Sequence, residues 1–302
     1  MPQILWTGKL SPLMKVVADT SMIMAWLTGS ARDAAAMKQR VKLGYDGTFT
    51  DDVTRYDELG LKFQIKAANA LLDGVDVKGK TVLDVGAGTG ALSFLALERG
   101  AGKVVCADIS EYMLGQCRKK AAANGIGEDR IEFKLLDAES LALQDDSFDV
   151  VMTSMTLGLV PDQTKAISEM ARVAKRGGSV AVGGHGPEHY WEPADTIFRA
   201  ISKRYVLGYR FEFWPRKESE IQKMMVKAGL SDVRTGRVIW RNIFPTGGEA
   251  YDFFAAISSS WWYARFPANK RQAESRKIRD YFIKNNKNQV TDDVVLGYGR
   301  KP

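Results

Sequence analysis

Three acidic residues close short apolar runs in the first half of the chain, and one of them leads a glycine-rich turn. Asp84 opens "DVGAGTG", with Gly86, Gly88 and Gly90 at alternate positions. Asp108 ends "VVCAD", and Asp137 ends "FKLLD". Glycines at such a turn let the backbone come close to a ligand, because no side chain stands in the way. With Ala91 in the last place, the spacing fits the dinucleotide fingerprint G-x-G-x-x-G/A loosely. Asp84 argues against a pyrophosphate: a carboxylate inside the strand suits a cationic ligand group, directly or through water. Asp108 does not discriminate, since its distance of about 20 residues from the loop also suits a dinucleotide fold.

Such a set of residues needs a scaffold that brings strand ends together. Strand-like runs cover 81–85, 103–107, 131–135, 148–153 and 179–183, and helical patterns at 91–99, 111–124 and 164–175 fall between them. This alternation implies βαβ units and a parallel sheet. The strands are nearly all apolar, as expected when helices cover both sheet faces. Lys175 and Arg176 followed by Gly177 and Gly178 read as the end of a helix. Residues 185–232 are mostly helical in pattern, and further strands fit 233–240 and 293–298. The expected fold is α/β, a Rossmann-like doubly wound sheet of seven mostly parallel strands. Residues 1–45 are expected to form a helical lid segment. Residues 46–302 form the main domain, with cap insertions at about 185–232 and 244–290.

Composition narrows the rest. The chain has 302 residues, a net charge of +7 and two cysteines, Cys106 and Cys117. Neither CxxC nor Cys/His ligand spacing occurs, so no metal site and no disulfide framework is expected. The stretch 10–27 is apolar but broken by Lys15 and Asp19. The charge-free run after Asp19 ends at Arg32, too short for a spanning helix of about 20 apolar residues, and no A-x-A cleavage site follows the stretch. A cytoplasmic protein is expected, with this stretch covering the cleft or resting peripherally on a membrane surface. The basic runs "CRKKAA" and "NKRQAESRKIR" read as solvated helix faces, and no nucleic-acid partner is expected.

Taken in order, the motifs resemble those of class I S-adenosylmethionine-dependent methyltransferases. "VLDVGAGTG", "VVCADIS", "LLDAESL", "DSFDVVMTSMTLGLVPD" and "ISEMARVAKRGGSVAV" follow one another at the family's spacings. The resemblance covers residues 40–183 well and the remainder weakly. It implies S-adenosylmethionine as cofactor, with Asp84, Gly86, Gly88 and Gly90 in the first motif and Asp108 on both ribose hydroxyls. It further implies Ile109 and Met113 sandwiching the adenine, Asp137 at the exocyclic amine and the Ala138 N–H at a ring nitrogen. Gly86, Gly88 and the backbone near Thr153 would line the methionine moiety. Taken singly, each has a plainer use: Asp137 as a helix cap, Met113 as core, Thr153 as an ordinary strand residue.

Within that family the chain is similar to the ubiquinone/menaquinone-biosynthesis-like small-molecule methyltransferases, through "YDGTF", "RYDELG" and "FDVV". It departs from many of them at Leu157, Gly158, Leu159 and Val160, where paired histidines are absent. The expected acceptor is a small molecule, aromatic or lipid-like: a quinol, phenol or enol. Alternatives are N-methylation of a small amine and, further off, cofactor binding without catalysis. Aromatic residues crowd 240–266: Trp240, Phe244, Tyr251, Phe253, Phe254, Trp261, Trp262, Tyr263 and Phe266. They either pack the cap's own core or wall an acceptor. A phenol or carbon acid would benefit from a base. His185, after the fifth strand, is the first candidate, followed by His189, Tyr45 and Tyr56.

Overall fold

A run such as Val82–Leu83 or Val104–Val105 is stable only where both faces of its strand are covered, and here they are. The computed structural model describes residues 34–35, 37–39, 41–42, 61–201, 217–262 and 268–302. Helix α1 (Leu61–Leu72) precedes β1 (Thr81–Val85), α2 (Ala91–Glu98), β2 (Lys103–Asp108), α3 (Glu111–Ala123), β3 (Ile131–Leu135) and β4 (Phe148–Ser154). Then come α4 (Gln163–Val173), β5 (Ala174–His185), α5 (Trp191–Ile201) and α6 (Glu218–Lys227). The chain closes with β6 (Ser231–Ile243), α7 (Gly247–Trp262), α8 (Arg271–Lys284) and β7 (Gln289–Arg300). The seven strands lie in the order β3-β2-β1-β4-β5-β7-β6. Strands β1 to β5 pair in parallel, and β7 runs antiparallel to both neighbours. This is the doubly wound α/β sheet read from the sequence.

Each face carries its own core. Phe63, Leu71, Ala96 and Leu114 pack one face, together with Phe254 and Phe282 from the late helices. Ile167, Met170, Ile221 and Met225 pack the other. Ile221 and Met225 belong to α6, which therefore covers the sheet rather than capping it, and this corrects the insertion drawn to 232. A second correction concerns residues 174–178. Helix α4 stops at Val173, and Ala174 already pairs with Phe148. Lys175 to Gly178 thus lie in a bulged start of β5. The turn at Gly177 has φ 73, and its N–H donates to the Lys301 carbonyl at 2.8 Å.

The long β6 and β7 explain how late helices reach the ligand side. His185 ends β5 opposite Val294, whereas β6 and β7 stay paired out to Ile243 and Gln289. The last residues of β6 and the first of β7 thus project past the carboxyl end of β5. Helices α7 and α8 pack there through Tyr251, Phe253, Phe254, Ile278 and Phe282. Residues 10–27, Tyr45 and Tyr56 lie outside the described residues, as do Tyr263 and Phe266.

Candidate functional site

Because β1, β2 and β3 are neighbours, the chain segments leaving their carboxyl ends lie side by side. Register pairs Asp84 with Cys106, and Asp108 with Leu135. Asp84, Asp108 and Asp137 consequently border one cavity, with Gly86 and Gly88 along its floor. Open α/β sheets bind ligands at this edge, where strand order reverses.

The turn after β1 has a defined geometry. Gly86 and Gly88 have φ of 76 and 56, in the left-handed region. A Cβ on Gly86 would run into Thr156, whereas one on Gly88 would meet nothing within 4 Å. The cavity thus reaches the bare backbone at Gly88. The Gly86 and Ala87 amides donate to the Ala107 carbonyl at 2.7 and 3.0 Å, which pins the turn against β2.

Asp108 is held from both sides. Its Oδ2 accepts from the Gly88 N–H at 2.8 Å and its Oδ1 from the Ser110 N–H at 2.9 Å. The two amides fix the orientation of the carboxylate, a group whose two oxygens suit a pair of hydroxyl donors. Ser110 also caps α3, its Oγ accepting from Met113 N–H at 3.2 Å. That cap sets Met113 beside Ile109 on one wall, with Leu136 and Ala138 also lining the cavity near Asp137. The result is an apolar slot with carboxylates at its ends, which fits a nucleoside with a flat base.

Asp84 is buried and accepts a 2.7 Å hydrogen bond from Ser93 Oγ. Burial pushes its pKa up to about 7, against the Ser93 hydrogen bond and aided by the charge of Asp108. A cationic ligand group beside it would favour the ionised form. Past β4, Met155 has φ 60, which is rare for a non-glycine residue. Its N–H donates to the Gly183 carbonyl at 2.8 Å, and Thr156 Oγ1 donates to the Gly86 carbonyl at 3.1 Å. Ser154, Met155 and Thr156 line the cavity here, with Gln64 and Ala68 of α1.

Of the residues expected from sequence, Asp84, Gly86, Gly88, Asp108, Ile109, Met113, Asp137 and Ala138 come together around this cavity. Two others are set back from it. Gly90 is the N-cap of α2, where a Cβ would strike Phe94 and Cys117, so its smallness serves packing. Thr153 is one residue short: its hydroxyl donates to the Val85 carbonyl at 2.7 Å, inside the sheet. Period-two alternation puts Ser154 on the other side.

The histidines differ more from expectation. His185 does not stand at a cleft mouth but is buried, 6% exposed, and burial lowers its pKa to about 3. His189 is buried beside it at 4.7 Å between ring centroids, and stacks on Tyr190 at 3.8 Å. Its pKa also falls well below the usual value, through burial and then the neighbouring His185. Tyr251, Phe253 and Phe254 are likewise core, and Phe244 packs on Phe253 at 5.1 Å. These aromatic residues build the late helices' own interior, and none lines the cavity. Sequence reasoning missed Lys38, Val41 and Gln64, which line the cavity from segments far upstream of the glycine turn.

Residues 83–182 match the methyltransferase domain family. The demethylmenaquinone methyltransferase of Clavibacter sepedonicus is 36% identical over 161 residues, 53% of this chain and 61% of that protein. A ubiquinone/menaquinone biosynthesis C-methyltransferase of Escherichia coli is 38% identical over 141 residues, 46% of this chain and 52% of its own length. The matched part thus spans between half and two thirds of these relatives. In fold, the chain is similar to a phosphoethanolamine N-methyltransferase 2 of Haemonchus contortus. That likeness has a TM-score of 0.57 at 18% identity, covering 86% of this chain and 60% of the other. The matched segment 83–182 and the sheet order are those of a methyltransferase domain, similar to the class I S-adenosylmethionine-dependent methyltransferases.

Proposed function

We propose that this protein transfers the methyl group of S-adenosylmethionine to a small apolar acceptor of the quinol, phenol or enol class. The observation that carries the cofactor half is the convergence of Asp84, Asp108, Asp137 and the bare turn at Gly88 on one cavity. The acceptor half draws support from the relatives that make quinones, at 36% and 38% identity. It also draws on the apolar character of Ala68, Met155, Leu159 and Val160 in the lining.

When bound, the sulfonium supplies an activated methyl group. The chain's own part is to bind, orient and dry. Asp108 accepts from the ribose hydroxyls, and Asp137 accepts from the adenine amine. Ile109, Met113, Leu136 and Ala138 enclose the base, and Asp84 faces the cationic amino-acid end. The described ionisable residues of the lining are Lys38, Asp84, Asp108 and Asp137. All four serve the cofactor in this reading, so no described residue of the lining is left to deprotonate the acceptor. Holding it in line within a dry site then provides most of the acceleration. His185, buried and neutral, is assigned no base role.

Among the described residues, no helix is long and apolar enough to cross a membrane. A lipid-like acceptor would be met at a membrane surface, and the apolar stretch 10–27 is the segment we assign to that contact.

Two measurements test this reading. The first uses a cofactor with a labelled methyl group and cell extracts split into lipid, metabolite and RNA fractions. Label should enter the lipid or aromatic fraction. Label confined to amines or RNA would reject the acceptor class. The second follows from Asp84. Its carboxyl is protonated below about pH 7, and a cationic group binds the ionised form. Affinity for S-adenosylhomocysteine should therefore rise as pH increases from 5.5 to 7.5, by up to about tenfold per unit on the acid side. Asp84→Asn should bind more weakly and lose most of this slope. Calorimetry at four pH values reads both, and an unchanged slope in the variant would remove Asp84 from the ligand contact.

A further inference from the structure

Lys38 lies more than forty residues upstream of β1, in a segment whose described residues are helical, yet it lines the cavity beside Asp137. Its Nζ donates to Asp137 Oδ2 at 2.6 Å and also pairs with Glu139 Oε2. Both carboxylates are anchored further. Asp137 Oδ1 accepts from the Glu139 N–H at 2.9 Å, and Glu139 Oε1 accepts from the Asp162 N–H at 2.5 Å. Asp162 in turn caps α4. One chain of bonds therefore runs from the upstream segment, through the turn after β3, to the loop that follows β4.

The cluster is sheltered: side-chain exposure is 25% for Lys38, 31% for Asp137 and 7% for Glu139. Its charges are screened less than those of a surface pair. Burial opposes a charged Lys38, but the bonds to Asp137 and Glu139 outweigh it and raise its pKa. Two carboxylates converge on this one ammonium. Without it they would repel, and Asp137, the more exposed of the two, would turn away from Glu139.

We propose that Lys38 is a positioning residue for the cofactor: it aims Asp137 at the exocyclic amine of the adenine and so ties the upstream segment to occupancy of the cavity. This rests on the methyltransferase reading above. An ionised carboxylate only accepts hydrogen bonds. Held in one orientation, it rewards a base with an amine at its edge and penalises one with a carbonyl there. Lys38 takes one side of Oδ2 and the Glu139 amide takes Oδ1. The direction in which Asp137 can still accept is thereby fixed.

The test is calorimetry of S-adenosylhomocysteine and S-inosylhomocysteine on the wild type, Lys38→Met and Lys38→Arg, with thermal unfolding to confirm that each variant is folded. Amide hydrogen exchange over residues 34–42 is followed with and without S-adenosylhomocysteine. The wild type should prefer the adenosyl compound by about tenfold or more. Lys38→Met should bind it about tenfold more weakly, with a preference below about threefold. Lys38→Arg should keep most of both. The ligand should slow exchange over 34–42 in the wild type and not in Lys38→Met. Wild-type affinity and preference in Lys38→Met would overturn the proposal, as would an equal loss for both compounds, which marks a merely structural role. A wild type that binds neither compound would overturn the methyltransferase reading itself, and this proposal with it.

Discussion

Asp108→Ala should weaken S-adenosylhomocysteine binding by roughly a hundredfold or more while leaving the protein folded. Two hydrogen bonds from hydroxyls to a carboxylate are worth about 1.5–3 kcal/mol each, and the smaller sum already corresponds to more than a hundredfold. The loss extends beyond the ribose. Asp108 also accepts from the Gly88 and Ser110 amides, so the substitution frees the glycine turn and the start of α3 together. Asp108→Asn should fall between, because its side-chain oxygen can keep one of these amides but not both. Nicotinamide dinucleotides should bind to neither variant nor to the wild type. Calorimetry with circular dichroism as a folding control decides the matter. Unchanged affinity in a folded Asp108→Ala protein would mean that the ribose is held elsewhere.

The part of the cavity lining that follows β1, β2 and β3 is legible in the sequence because it depends on local signals. A strand, a tight turn and a helix cap each need particular residues within a few positions, so Asp84, Gly88, Asp108 and Met113 announce themselves. Asp137 follows the same logic at the end of β3. The slips were also local and have simple causes. Thr153 and Ser154 differ by one step of a period-two element, and sequence alone does not say which of the two faces the ligand. Lys175 to Gly178 look like a helix end. They form a bulge because Lys301, from the far end of the chain, pairs with Gly177 and Gly178.

What sequence could not give is contact across distance. Lys38 has no local signature, and its meaning comes from Asp137 and Glu139, about a hundred residues away. Gln64 has no local signature either, and its place is seen only once α1 borders the cavity beside Ser154 to Thr156. The histidines show the opposite error. His185 ends a strand at the ligand edge, where a base would be useful. The extra length of β6 and β7, with α7 and α8 packed on it, encloses the space around it instead. The aromatic residues of 240–266 were ambiguous for the same reason. A segment that folds over an edge must first make a core of its own, and Tyr251, Phe253 and Phe254 do so.

An ion cluster ties the end of β5 to β6 and β7, and Arg237→Met should be among the most destabilising single substitutions in the protein. Asp293 of β7 is fully buried, and its two oxygens receive Arg237 Nε at 2.8 Å and Nη2 at 2.7 Å. Asp293 Oδ2 also accepts from the Glu188 N–H at 2.7 Å, and Arg237 pairs with the Glu188 side chain at 2.9 Å. The bonds to Asp293 are the main reason the guanidinium is held in its charged form more firmly than usual. Removing Arg237 leaves a buried carboxylate with backbone help alone. Breaking a buried pair in this way costs about 3–5 kcal/mol, whereas replacing both partners with apolar groups can be nearly neutral. Arg237→Met should lower the thermal midpoint by roughly 10 °C, using about 2–4 °C per kcal/mol for a domain of this size. Arg237→Met combined with Asp293→Leu should recover a substantial part of that loss. Thermal unfolding of the two single variants and the double variant separates the contributions. If the double variant is as unstable as the sum of the singles, the cluster is not acting as a pair, and the hold on the end of β5 must come from packing by Phe63, Tyr190 and Phe254.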